Sequence, residues 1–135
     1  MNWASILWAG KHSKTGSVSG SRTGSKRESV SHALILNLEG ARLPKADWSN
    51  SVLAKARFSR TNLTQANLSH AILRDADLRF AVLKDANLTQ ANLSGTLLDG
   101  ADLRGADLTG ALNLTKAQID SAIIDESTKL PPDLA

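Results

Sequence analysis

The chain has 135 residues, enough for one domain at most. It holds no cysteine, which excludes a disulfide frame and a thiolate metal site, and only two Phe, three Trp and no Tyr, so its core must be aliphatic. The net charge of +3 is unevenly divided: before Ala33, Lys11, Lys14, Arg22, Lys26 and Arg27 face only Glu28, while the remainder is close to neutral.

Residues 1–10 place Trp3, Ile6, Leu7 and Trp8 on what could be the apolar side of a short helix. They lack the basic start and the cleavage site of a secretory signal. No apolar run approaches the length of a membrane span. A cytoplasmic protein is therefore expected. Residues 11–31 are rich in Ser, Gly, Lys and Arg and read as a flexible linker. Gly16, Gly20 and Gly24 do not form a phosphate-cradling loop, since no strand precedes them and no Gly-Lys-Ser/Thr ending follows. Residues 1–32 are thus expected to be a basic tail. It either tucks onto the body or, through Trp3 and Trp8 and the basic residues after them, touches a membrane surface or nucleic acid.

The ordered body is expected from residue 33. Counting in fives gives Leu38, Leu43, Trp48, Leu53, Phe58, Leu63, Leu68, Leu73, Leu78, Leu83, Leu88, Leu93, Leu98, Leu103 and Leu108. Two residues before most of them sits a small residue, such as Ala66, Ala71 or Ala101. Between the two there is often Asp or Asn, as in Ala66-Asn67-Leu68. A period of five fits neither a strand nor a helix. It fits a chain that runs straight briefly and then turns a corner, over and over. Each unit points one small and one large residue inward. Such a unit cannot bury its apolar pair alone, so copies must stack into a solenoid. The early units are irregular at Leu36, Pro44 and Trp48, as terminal repeats tend to be. Trp48 is expected to fill the first coil rather than to bind a ligand.

This pattern resembles the pentapeptide-repeat family, with its A-(D/N)-L-x-x motif, over roughly residues 36 to 112, and its Ala-Asn-Leu units are similar to cyanobacterial members. The resemblance implies an all-β solenoid: a right-handed quadrilateral β-helix with four pentapeptides per coil. About four coils at about 4.8 Å each would stand roughly 20 Å tall. Residues 33–114 would form this body.

Residues twenty apart then stack on the outer surface. Arg57 falls under Asp77, Arg79 under Asp99 and Lys55 under Asp75, predicting vertical ion pairs worth about 0–1 kcal/mol each. Lys84 under Arg104 is a like-charge stack that could take an anion. Val52 and Ile72 share an outward column. Phe80, at a corner above Arg60, and Val82 after it form a candidate partner patch, with a cation–π contact expected between Arg60 and Phe80.

The rhythm breaks at Ala111-Leu112-Asn113-Leu114. Thr115 and Gln118 form a capping box, with Leu114 and Ile119 placed as a hydrophobic staple. A short amphipathic helix over about 116–124, with Ile119, Ala122 and Ile123 on one face, is expected to cover the open end. Residues 115–135 would be this cap.

No catalytic, metal or cofactor constellation is found. His12, His32 and His70 have no ligand spacing, and the many Asp residues recur as part of the repeat. The expected function is a non-catalytic scaffold or regulatory adaptor with an unidentified protein partner. Candidate contact residues are Phe80, Val82, Trp3, Trp8, Lys84 and Arg104. One alternative is weak tethering to a membrane or nucleic acid through the tail. Another is a DNA-mimicking topoisomerase binder, which the near-neutral body disfavours.

Overall fold

A computed structural model describes residues 35–135. Trp3, Trp8, His12, His32 and the basic tail lie outside these residues. Within them the backbone climbs by parallel bridges between residues twenty apart, from Asn37↔Arg57 to Asn92↔Leu112. From Asn37 to Asp107, each bridged residue is the one just before an inward leucine or its equivalent. Each five-residue unit spends two residues on its corner, so a single residue per side joins the ladder. The pairing is therefore a stack of isolated bridges rather than extended strands.

The corners follow one geometry. The N–H of the small residue that opens each unit donates back to the preceding inward carbonyl, as from Ala41 to Leu38 at 2.9 Å. The residue just before the small one has positive φ at every corner from Gly40 to Gly110, including Lys45, Arg60, His70, Phe80 and Gln90. Glycine adopts this conformation freely, and other residues do so at a cost of about 1 kcal/mol or more.

The Asp/Asn preference has a local cause. The side-chain Oδ1 accepts the backbone N–H two residues on, as Asn67 does from Ser69 at 3.1 Å and Asn87 from Thr89 at 3.0 Å. Where that residue is Ser or Thr, its hydroxyl often donates to the same oxygen, as Ser69 does at 2.7 Å. A short side chain that mimics a backbone turn is what Asp and Asn supply.

The inward residues form one column of packed side chains. Leu43, Trp48, Leu53, Phe58, Leu63, Leu68, Leu73, Leu78, Leu83, Leu88, Leu93, Leu98, Leu103 and Leu108 are each at most 2% exposed. Trp48 and Phe58 meet edge to face with centroids 5.9 Å apart, so the two aromatics fill the early coils together.

The C-terminal helix, α1 (Lys116–Ser121), is shorter than the sequence suggested. Its N-terminus is the expected capping box: Thr115 accepts from the Gln118 N–H, and the Gln118 side chain accepts from the Thr115 N–H. Leu114 and Ile119 are both buried. The helix stops because Ala122 is extended and Ile123 leaves the helical face to bridge Asp102. Leu103 donates to the Ile123 carbonyl at 2.7 Å and Leu108 to the Lys129 carbonyl at 2.7 Å. The backbone groups of the last coil demand partners, and satisfying them outweighs one more turn of a short helix.

Candidate interaction surface

Trp48 and Phe58 are fully buried, while Phe80 is 53% exposed and stands out at a corner. It lies in the left-handed region, at φ 60°, which is an outlier for a bulky side chain. Two neighbours in its column hold the ring. The Arg60 guanidinium lies 5.0 Å from the centroid, the cation–π contact expected from the twenty-residue register. On the other side is Gly100, whose backbone the ring approaches so closely that a Cβ there would fall 2.5 Å from Cδ1 and Cε1. Val82 is half-buried and bridges Asn62 below and Asp102 above. Phe80 therefore stands at a corner and Val82 in the bridged segment that follows it.

The charges around this edge do not stack vertically as the register suggested. Arg79 turns back to Asp77 two residues earlier, with Nε–Oδ1 and Nη2–Oδ2 both at 2.9 Å. Arg104 grips Asp102 in the same way, at 2.9 and 2.7 Å. The bidentate fit within one pentapeptide wins over a longer reach between coils. Arg57 leans towards Glu39, at 3.9 Å, rather than closing an ion pair with Asp77. Because Arg104 is engaged by Asp102, it does not stand free beside Lys84 as half of an anion site.

The same contacts set the acidity of these carboxyls. The Arg79 guanidinium holds Asp77 below its ordinary range, and Arg104 does so for Asp102. Hydrogen bonds from Thr109 lower Asp107, and those from Ser127 lower Asp125. These groups stay ionised at neutral pH and are poor proton donors. No cluster of three or more His, Cys, Asp or Glu able to hold a metal occurs among the described residues. His70 is an exposed corner residue.

The remaining outward apolar side chains are spread over the body. Val52 and Ile72 are bridged in one column as expected, a column that continues through Asn92 to the exposed Leu112, while the exposed Leu97 ends the column of Arg57 and Asp77. Sequence reasoning placed Phe80 at a corner and above Arg60, but missed its backbone conformation. A signal for it was present: Gly95, Gly100, Gly105 and Gly110 recur every fifth residue at that one position.

Eight copies of the pentapeptide-repeat family model match the chain, over residues 36–69, 61–100 and 86–124. Among solved structures, the chain is similar to the pentapeptide repeat protein Rfr23 from the cyanobacterium Cyanothece 51142. The identity is 35% and the TM-score 0.63, over 70% of this chain and 63% of that one. This chain thus spans less than two thirds of Rfr23. A pentapeptide repeat protein of the Arabidopsis thaliana thylakoid lumen is 29% identical over 70% of this chain and 61% of its own, with a TM-score of 0.32. HetL of Nostoc, involved in heterocyst differentiation regulation, is 28% identical over 70% of this chain and 56% of its own, with a TM-score of 0.25. No curated protein matched.

Proposed function

The chain belongs to the pentapeptide-repeat family, and on that premise we propose that it is a non-catalytic interaction protein, a scaffold or regulatory adaptor. We take its body, residues 33–114, as a right-handed four-sided β-helix of about four coils. A basic tail, residues 1–32, precedes it, and residues 115–135 cap its C-terminal end. The partner is a protein, met on the edge built by Phe80 and Val82, with Lys84 and Arg104 at the rim.

The observation that carries this reading is the state of Phe80. An aromatic side chain is held in a strained backbone conformation, pinned from both sides, and still more than half exposed. Exposed, preorganised aromatics are the residues on which protein interfaces concentrate binding energy. The tightly filled interior supports the non-catalytic part of the proposal. A compartment is proposed only as cytoplasmic; among the described residues no helix is long and apolar enough to cross a membrane.

The test is a pull-down from host lysate with the intact chain and with its Phe80→Ala/Val82→Ala variant, both checked for equal folding by circular dichroism. A partner captured by the first and lost by the second supports the proposal. A partner retained by the variant, but lost when Lys11, Lys14, Arg22, Lys26 and Arg27 are neutralised, moves recognition to the tail. The charge excess before Ala33 favours that second reading.

A further inference from the structure

Val82 is the middle member of a ladder that climbs one face through Arg42, Asn62, Val82, Asp102 and Ile123. Phe80 holds the middle of the corner column beside it. Arg60 lies one layer below and Gly100 one layer above, and the Gly100 N–H bonds on to the Ser121 carbonyl at 2.8 Å. The corner on the far side of the same face starts at Lys45 and reaches Gly105, whose N–H bonds to the Asp125 carboxylate in the turn above it. The exposed apolar pair of the body thus lies at mid-height. Charge is graded along the same axis. Residues 35–74 hold six basic and two acidic side chains, whereas residues 95–135 hold three basic and seven acidic. A surface with an apolar centre and ends of opposite charge matches itself after a half-turn about an axis across it. Two copies side by side in the same direction would set like charges together, and reversed copies set unlike ones together.

We propose that the face carrying Val82, with Phe80 at its border, binds a second copy of this chain with the two solenoid axes antiparallel; this rests on the reading that Phe80 and Val82 meet a protein. At the centre Phe80 and Val82 lie against the partner's Phe80 and the partner's Val82. Beside them the exposed Lys84 comes next to the partner's Asp85, and the pair repeats across the two-fold axis. At the ends the exposed Lys45 comes opposite the partner's Glu126, in the turn above Gly105. Five layers at about 4.8 Å make a face about 24 Å tall. One such face is at the small end of specific interfaces, so the dimer is weak and reversible.

Sedimentation of the intact chain between about 10 µM and about 1 mM tests this. The parent should pass from monomer to dimer over that range. Phe80→Ala, folded like the parent by circular dichroism, should raise the dissociation constant about tenfold or more. Lys45→Glu alone and Glu126→Lys alone should each raise it about three- to tenfold, and the two together should restore the parent value. Lys45 and Glu126 stand four layers apart in one chain, about 19 Å, so the recovery can arise only between copies. A double variant that stays weak would overturn the antiparallel arrangement. Equal dimerisation of the parent and Phe80→Ala would remove this face as its seat. A parent that stays monomeric up to about 1 mM would overturn self-association. The edge would then still meet a protein if the intact chain, but not Phe80→Ala, captures a different chain from lysate.

Discussion

The ring of Phe80 occupies the space in which Gly100 would otherwise carry a side chain. Cδ1 and Cε1 would both lie 2.5 Å from a Cβ at Gly100. The two residues are twenty apart and share a corner column, so the close approach follows from the coil length. It ties a glycine that looks like simple turn chemistry to the one exposed aromatic of the body.

Gly100→Ala should therefore cost stability twice. It forces a non-glycine residue to φ +69° and it drives Cβ into the ring. Together these should amount to about 1–3 kcal/mol in urea denaturation. In a Phe80→Ala background the clash vanishes and only the backbone part remains, so the second Gly100→Ala should cost clearly less than the first. Equal costs in the two backgrounds would show that the ring swings away freely.

The lowered carboxyls predict an acid limb. Asp77 and Asp102 sit below the ordinary value of 3.8 in the folded chain because of Arg79 and Arg104, and Asp107 and Asp125 because of hydroxyl and backbone donors. A depressed folded value contributes stability that is complete above the unfolded value. It is lost as pH falls through the folded value. Stability should be flat from neutrality down to about pH 5 and decline below about pH 4. Asp77→Asn with Asp102→Asn should flatten part of that decline while keeping the turn, since an amide oxygen still accepts the backbone N–H. An unchanged acid limb in melts from pH 7 to pH 3 would remove these two residues as its source.

The inward column could be read directly, because a five-residue rhythm of Leu leaves a stacked solenoid as the only way to bury it. The charge pairing could not. Counting by twenty gives which residues lie above one another, but the two-residue reach from Asp77 to Arg79 depends on the turn that the Asp itself builds. The same holds for Phe80, whose exposure follows from a corner conformation that only the phase of the glycines reveals. Ile123 was misplaced for a related reason. Its helical spacing from Ile119 is real, but the unpaired edge of the last coil recruits it as a bridge.

Leu83 tests the depth of the core. It is fully buried between the layers of Leu63 and Leu103. Leu83→Ala should cost about 2–5 kcal/mol, read from urea midpoints at unchanged slope. Leu83→Lys should leave no cooperative transition, because a charge cannot be buried unpaired in this column.

Gln118 separates two roles within one side chain. Its Oε1 accepts from the Thr115 N–H at 2.8 Å, closing the capping box. Its Nε2 donates to the Leu93 and Thr96 carbonyls at 2.8 and 2.9 Å, pinning α1 to the last coil. Glu at this position preserves the first role, and in an isolated helix it would serve as well. Here it would turn a donor into a carboxylate facing two carbonyl oxygens. Gln118→Glu should therefore destabilise at least as much as Gln118→Ala, by about 1–3 kcal/mol, although it keeps the box. Thr115→Ala, which removes only the cap hydroxyl, should cost about 1 kcal/mol. Hydrogen exchange gives the decisive reading: Gln118→Glu should speed exchange at Gly100 and Leu103, whose N–H groups bond to Ser121 at the end of α1 and to Ile123 beyond it, and leave Leu63 unchanged. If Gln118→Glu proves as stable as the parent, the helix is held by Ile119 burial alone and the two carbonyl contacts contribute nothing.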